Sequence, residues 1–172
     1  LTDKEFRYIR YRDSVYVVTH TSAYLDSLDR FNNRVTWKKM LITGQTFYKR
    51  SEERTWVLPP AIALYEPFQL GGGRIHPKFY YYKKFQSRKD IKLMMDVSYG
   101  LRNKDVNGSI YFKRMYNPFN RGYYVFDIAR DFDPIYKGDA WINQIKRSAY
   151  FLNNYIAAVH GIEIANGLQL IT

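Results

Sequence analysis

Cysteine is absent from the 172 residues, so disulfide frameworks, thiolate metal sites and cysteine nucleophiles are all excluded. No apolar run reaches the length of about eighteen residues that a membrane-spanning helix needs. That absence leaves a membrane β-barrel open, because its strands show only short alternating segments. Acidic residues are scarce beside basic ones, 16 against 27, and the net charge of +11 would attract nucleic acid, anionic polysaccharide or outer-leaflet phosphates. Catalytic signatures are missing as well. His20, His76 and His160 sit in unrelated segments without zinc-hydrolase spacing, and no Gly-x-Ser-x-Gly elbow occurs. Gly71-Gly72-Gly73 is followed by a strand-like run and not by Gly-Lys-Ser/Thr. It therefore reads as a bulge or close backbone approach, not a phosphate-cradling loop. No catalytic residue, cofactor site or metal site is identified, and no enzyme is expected.

What the chain does have is aromatic residues and period-two alternation. Seventeen Tyr, eleven Phe and three Trp suit strands, and in a barrel they gather in girdles at the lipid–water interfaces. Between Ile91 and Leu101 every odd position is apolar (Ile91, Leu93, Met95, Val97, Tyr99, Leu101), while the even ones are polar or small except Met94. This predicts a strand with one greasy and one wet face. The run before it alternates too, Ile75, Pro77, Phe79, Tyr81 and Phe85 against Arg74, His76, Lys78, Tyr80 and Lys84. The polar connections 86–89, 102–105 and 117–122 then predict successive hairpins through 106–116 and 123–132, with Tyr124, Phe126, Ile128 and Phe132 on one face.

On either side of these hairpins the pattern is mixed. Thr2-Asp3-Lys4-Glu5 fits a capping box opening a helix to about Arg12, with the β-branched run 15–19 weakening its continuation. A second short helix is predicted over 21–31. Residues 35–49 read as a strand with Met40, Ile42 and Tyr48 on one face. Residues 55–65 read as another strand, restricted by Pro59-Pro60 to an edge, bulge or boundary. Trp141, Ile142, Ile145, Ala149 and Leu152 recur at helical spacing, predicting a helix around 139–152. A strand over 155–165, a turn at Asn166-Gly167 and a strand from Leu168 complete the reading. Asp127, Asp131 and Asp133 share a strand face, which a charged barrel interior accounts for without catalysis.

Several segments carry a family likeness: 24–30 (Tyr-Leu-Asp-Ser-Leu-Asp-Arg), 72–74, 99–108, 116–122 (Tyr-Asn-Pro-Phe-Asn-Arg-Gly), 130–133, 146–148, 160–163 and 166–167. Together they resemble the Gram-negative outer-membrane proteins that join a carboxypeptidase-regulatory-like domain, through a periplasmic helical connection, to a C-terminal β-barrel of unknown function. Ala149 and Gly73 depart from that pattern. The resemblance implies a mainly β fold of antiparallel up-and-down hairpins forming part of a transmembrane barrel. Residues 1–33 would be a mostly helical periplasmic lead-in and 34–172 an incomplete barrel wall, since about seven strands fall short of the eight that closure needs. Beginning at Leu1 and stopping inside a strand-like run, the chain is expected to be a piece of a longer protein. Ile91, Leu93, Met95, Val97 and Tyr99 are the expected lipid-facing row. The implied role is non-enzymatic work in transport, secretion or outer-membrane assembly, alone or within a larger complex. Outer-membrane lipid, lipopolysaccharide and other outer-membrane proteins are the partners. A soluble basic β-domain binding nucleic acid or acidic polysaccharide, through the interleaved Lys78–Lys84 segment, is the rival.

Overall fold

The computed structural model describes residues 2–69, 72–134 and 150–172. Helix α1 (Asp3–Thr19) and helix α2 (Ser22–Asn32) come first, then ten strands. These are β1 (Gln45–Lys49), β2 (Arg54–Leu58), β3 (Tyr65–Gln69), β4 (Gly72–Ile75), β5 (Lys78–Lys84), β6 (Asp90–Gly100), β7 (Val106–Asn117), β8 (Gly122–Pro134), β9 (Tyr150–Ala165) and β10 (Leu168–Ile171). All pairings are antiparallel, in the order β1-β2-β5-β6-β7-β8-β9-β10, with β3 and β4 attached where β4 meets the end of β6. The protein is thus mainly β, one ten-stranded antiparallel sheet that is open, with β1 and β10 at its two ends.

The capping box is present, with the Thr2 amide donating to Glu5 Oε2 at 2.6 Å, but α1 runs past Arg12 to Thr19. The β-branched residues cost only a few tenths of a kcal/mol each. The last turn tucks the Thr19 hydroxyl onto the Val15 carbonyl at 2.8 Å. Thr21 then caps α2 through the Tyr24 amide. Residues 35–43 are not strand. The Thr36 carbonyl accepts from the Met40 amide and opens a helical turn, π-type over Lys39–Thr43, which Gly44 ends at φ +81°. Nor is 55–65 one strand. Pro59 and Pro60 lack ladder donors, and a 3₁₀ turn (Ala61–Leu64) separates β2 from β3. A similar break at His76-Pro77 splits the sequence-predicted strand 74–85 into β4 and β5, although the Pro77 carbonyl still accepts from the Val97 amide at 3.1 Å. The helix expected around 139–152 lies mostly outside the described residues. Its last three positions, 150–152, are strand.

Helix α2 is tied to the first hairpin by polar contacts. Asp29, buried, accepts from the Arg50 amide and from Arg50 Nη1, both at 2.6 Å. The Asn33 side chain takes both backbone groups of Tyr48, accepting from its N–H and donating to its C=O, each at 2.7 Å. Those groups point away from β2, so one amide side chain occupies part of the free edge of β1.

Burial is inverted relative to a water-soluble sheet. Among the described residues Ala129 alone is a buried apolar side chain, whereas Asp29, Gln45, Arg74, Ser98 and Asn107 are buried. A single layer has no second layer to pack against, so no apolar core forms between layers. Stability comes instead from the ladders and from cross-strand side-chain pairs. Trp56 lies 4.5 Å from Tyr81 ring to ring, and Tyr116, Tyr124 and His160 form a stack, with the Tyr116 hydroxyl 2.8 Å from His160 Nε2.

Candidate functional site

The register sorts the side chains of β1, β2 and β5–β9 into rows that cross the sheet on one face. The middle row runs Phe47, Trp56, Tyr81, Leu93, Phe112, Phe126, Ala158. Two residues along each strand, the next row toward the β6–β7 turn is Phe79, Met95, Ile110, Ile128, Ile156. Beyond it come Val97 opposite Gly108, then Tyr99 opposite Val106. The face is open: Val97, Ile110, Phe126 and Ile128 are each about half exposed and Ile156 is 81 % exposed. The sequence-predicted row lies wholly on it, with Ile91 and Leu93 half-buried and Met95, Val97 and Tyr99 exposed. Arg130 and Asn154 interrupt the apolar character beside Gly108. A groove of ≈ 780 Å³ lies over Gly108, flanked by Val97, Val106, Ile110, Ile128 and Ile156. Glycine is required there because a Cβ would run into the Asp96 carbonyl oxygen of the paired strand.

On the same face, one row toward the β5–β6 turn, the register places Lys49, Arg54, Lys83, Ile91, Arg114, Tyr124 and His160 side by side. Glu52, in the turn between β1 and β2, forms ion pairs with Lys49 and Arg54. Its carboxyl is held below the usual range first by the hydrogen bond from Lys49 and further by the Arg54 charge.

The opposite face is polar and cross-linked. Arg74, its side chain only 4 % exposed, holds Asp105 through Nη1 at 3.0 Å to both carboxylate oxygens and donates from Nε to Ser98 Oγ at 2.6 Å. Gly100 leaves the space for this pair, since a Cβ would meet Arg74 Nη1 at 2.9 Å and the Asp105 carboxylate as well. Next to it His76 bridges two carboxylates, Nδ1 to Glu66 Oε1 at 3.0 Å and Nε2 to Asp96 Oδ2 at 3.1 Å. Lys78 Nζ reaches Glu66 at 3.5 Å, and the Ser109 hydroxyl donates to Asp96. A nucleophilic relay needs imidazole between hydroxyl and carboxylate. Here the carboxylate is in the middle and both ring nitrogens are occupied, an arrangement that ties β3, β6 and β7 to the break between β4 and β5. Asp127, Asp131 and Asp133 have separate partners: the Tyr155 hydroxyl (3.1 Å), the Phe132 amide (2.7 Å) and the Asn153 amide group (2.8 Å). His20 stacks on Tyr16 in α1, far along the chain from His76, and His160 belongs to the aromatic stack.

Alternation made the two faces legible in the sequence. The Arg74 cluster was not, because its members lie 24 and 31 residues apart. The signal that could have found it is Arg74 beside Gly72-Gly73, aligned by register with Gly100.

Fold and surface define an open antiparallel sheet with an exposed apolar face and a cross-linked polar face. Residues 38–172, more than three quarters of the chain, match the family described as "Family of unknown function (DUF5686) C-terminal domain". The chain belongs to that family. No curated protein and no solved structure matches it.

Proposed function

We propose that this chain is part of the wall of an outer-membrane β-barrel, apolar face to lipid and polar face to an aqueous lumen. Its work is non-enzymatic, in transport, secretion or outer-membrane assembly, alone or as a subunit of a larger complex. In this reading α1 and α2 form the periplasmic lead-in, and the parent protein carries a carboxypeptidase-regulatory-like domain before them. Lipid, lipopolysaccharide and neighbouring outer-membrane proteins are the partners.

The observation that carries the reading is the inversion of the faces: half-exposed aliphatic and aromatic rows on one side, buried Arg74, Ser98 and Asn107 on the other. Water penalises the first arrangement and a bilayer favours it. Length agrees. From Asp90 to Gly100, β6 runs ten residue steps, roughly 33 Å of strand at about 3.3 Å each. At a tilt of about 40° that projects to roughly 25 Å, the height of the apolar band of such barrels. The nucleic-acid rival needs its aromatic residues on one face as a stacking platform. Register instead puts Phe79 and Tyr81 on the apolar face and Tyr80 and Tyr82 on the polar one.

Fractionation of Gram-negative cells expressing the full-length parent tests the reading. The protein is expected in the outer-membrane fraction, retained through alkaline and urea washes and released by detergent. Recovery in the washes overturns it.

A further inference from the structure

The cationic row has an electrostatic cost that nothing in the described chain offsets in full. Lys49 pairs directly with Arg54, and Arg54 with Lys83, so three adjacent strands present like charges at opposed positions. Such neighbours repel and destabilise a sheet. Arg114 follows on the far side of Ile91, two strands further on. Against these four cations the only carboxylate in ion-pair contact, among the described residues, is Glu52, which serves Lys49 and Arg54. Lys83 and Arg114 have no such partner there; Lys83 Nζ lies over the Phe85 ring at 4.8 Å. Arg54 Nε has no hydrogen-bond acceptor.

The row's place in the sequence of rows indicates what would offset that cost. Along the strands toward the β6–β7 turn, the same face reads cationic on β1, β2, β5 and β7 (Lys49, Arg54, Lys83, Arg114), then mainly aromatic (Phe47, Trp56, Tyr81, Phe112, Phe126, with Leu93 and Ala158), then mainly aliphatic (Met95, Ile110, Ile128, Ile156, with Phe79). Each step is two residues, about 6.6 Å before tilt. A leaflet changes in the same order over a similar distance: phosphate plane, interface, then acyl chains, the headgroup zone being roughly 5–8 Å thick on each side.

Resting on the lipid-facing reading of this face, we propose that Lys49, Arg54, Lys83 and Arg114 form a collar that binds the phosphates of anionic lipid headgroups, with Lys83 and Arg114 as its unpaired members. The ligand is the headgroup phosphate of a lipid in the membrane that surrounds the wall. Bound there, the phosphates relieve the repulsion along the row.

The test is refolding of the full-length parent from urea into two kinds of vesicle, phosphatidylcholine alone and phosphatidylcholine with phosphatidic acid, at low salt, because an open sheet alone leaves unpaired edges in the bilayer. K83Q/R114Q removes the two unpaired cations. K92Q/K113Q removes the same charge from the opposite face, where Lys92 and Lys113 are paired across β6 and β7. Each basic residue near an anionic surface strengthens binding about 5-fold, so K83Q/R114Q is expected to lose roughly 30-fold of the gain from phosphatidic acid. K92Q/K113Q is expected to keep it. Equal losses in both variants would reduce the effect to net charge, and no loss in K83Q/R114Q would remove the collar; either result overturns the proposal. Failure of the unmodified full-length parent to insert into either vesicle overturns the lipid-facing reading itself, and the collar with it. That failure is distinct, because it precedes any comparison of variants.

Discussion

Met94 and Met95 offer a nearly ideal internal comparison. They are consecutive, chemically identical, and almost equally exposed, 40 % and 37 %. They point to opposite faces of β6: Met95 pairs with Phe79 and Ile110 on the apolar face, and Met94 with Tyr80 and Tyr111 on the polar one. In a sheet surrounded by water, Met94→Lys and Met95→Lys remove similar partly exposed thioethers, and each should cost about 0.5 kcal/mol or little more. In a bilayer the two part company. A cation on the lipid face near mid-depth costs about 2–4 kcal/mol, whereas a lumen-facing one costs little. Since 1.4 kcal/mol is tenfold, Met95→Lys should shift the folding equilibrium by roughly 30- to 1,000-fold and Met94→Lys by about threefold or less. The assay is urea-dependent refolding of the full-length parent into phosphatidylcholine vesicles, followed by tryptophan fluorescence and by protection from added protease. Equal costs for the two substitutions would refute the assignment of faces to lipid and water, whatever their size.

Four further outcomes follow from particular contacts. Arg74→Met strands the Asp105 carboxylate and the Ser98 hydroxyl; with Asp105 a quarter exposed, the loss should be about 3 kcal/mol, and R74M/D105L should recover part of it, both read from urea midpoints. Gly108→Ala drives a methyl against the backbone of Asp96 and Val97, which cannot yield as a side chain would; about 1–3 kcal/mol is expected in the same measurement. Asn33→Ala frees the Tyr48 N–H and C=O, costing about 1–2 kcal/mol and accelerating hydrogen exchange at the Tyr48 amide. Glu52, whose folded carboxyl titrates below its ordinary value of 4.5, contributes stability that is fully present above that value and is lost as the pH falls through the folded one. A Glu52→Gln variant should flatten the stability profile below 4.5, and an unchanged profile would remove Glu52 from the account.

Period two made β6, β7 and β8 readable to within a residue or two, because alternation over ten or more positions has no helical counterpart and the turn residues between the strands were explicit. Shorter runs misled. Met40 and Ile42 alternate as a strand would, yet Thr36 and Gly44 bracket a helical turn, and those two end signals outweigh the alternation. Val15–Thr19 stayed helical because β-branching is a weak penalty once a helix is under way. Pro77 fits the apolar row by type, but its missing N–H breaks the strand there. The greasy face could be written down from residue types alone. The Arg74 and His76 networks could not, since they depend on which strands become neighbours and in what register, information that alternation within one strand does not hold. Open or closed is likewise a property of the two end strands and not of any pattern inside them.

The seat that Asn33 occupies has a mechanical consequence. With both backbone groups of Tyr48 engaged, and the Thr46 carbonyl taken by Gln45 Nε2 at 3.0 Å, the outer margin of β1 behaves as a socket already filled, while at the other end the four-residue β10 pairs, among the described residues, with β9 alone. Any segment that docks along the full length of β1 must evict Asn33, and α2 loses an anchor when it does. Lead-in and newcomer are therefore rivals for one set of amides, and completing the wall on that side would loosen the helix that now guards it.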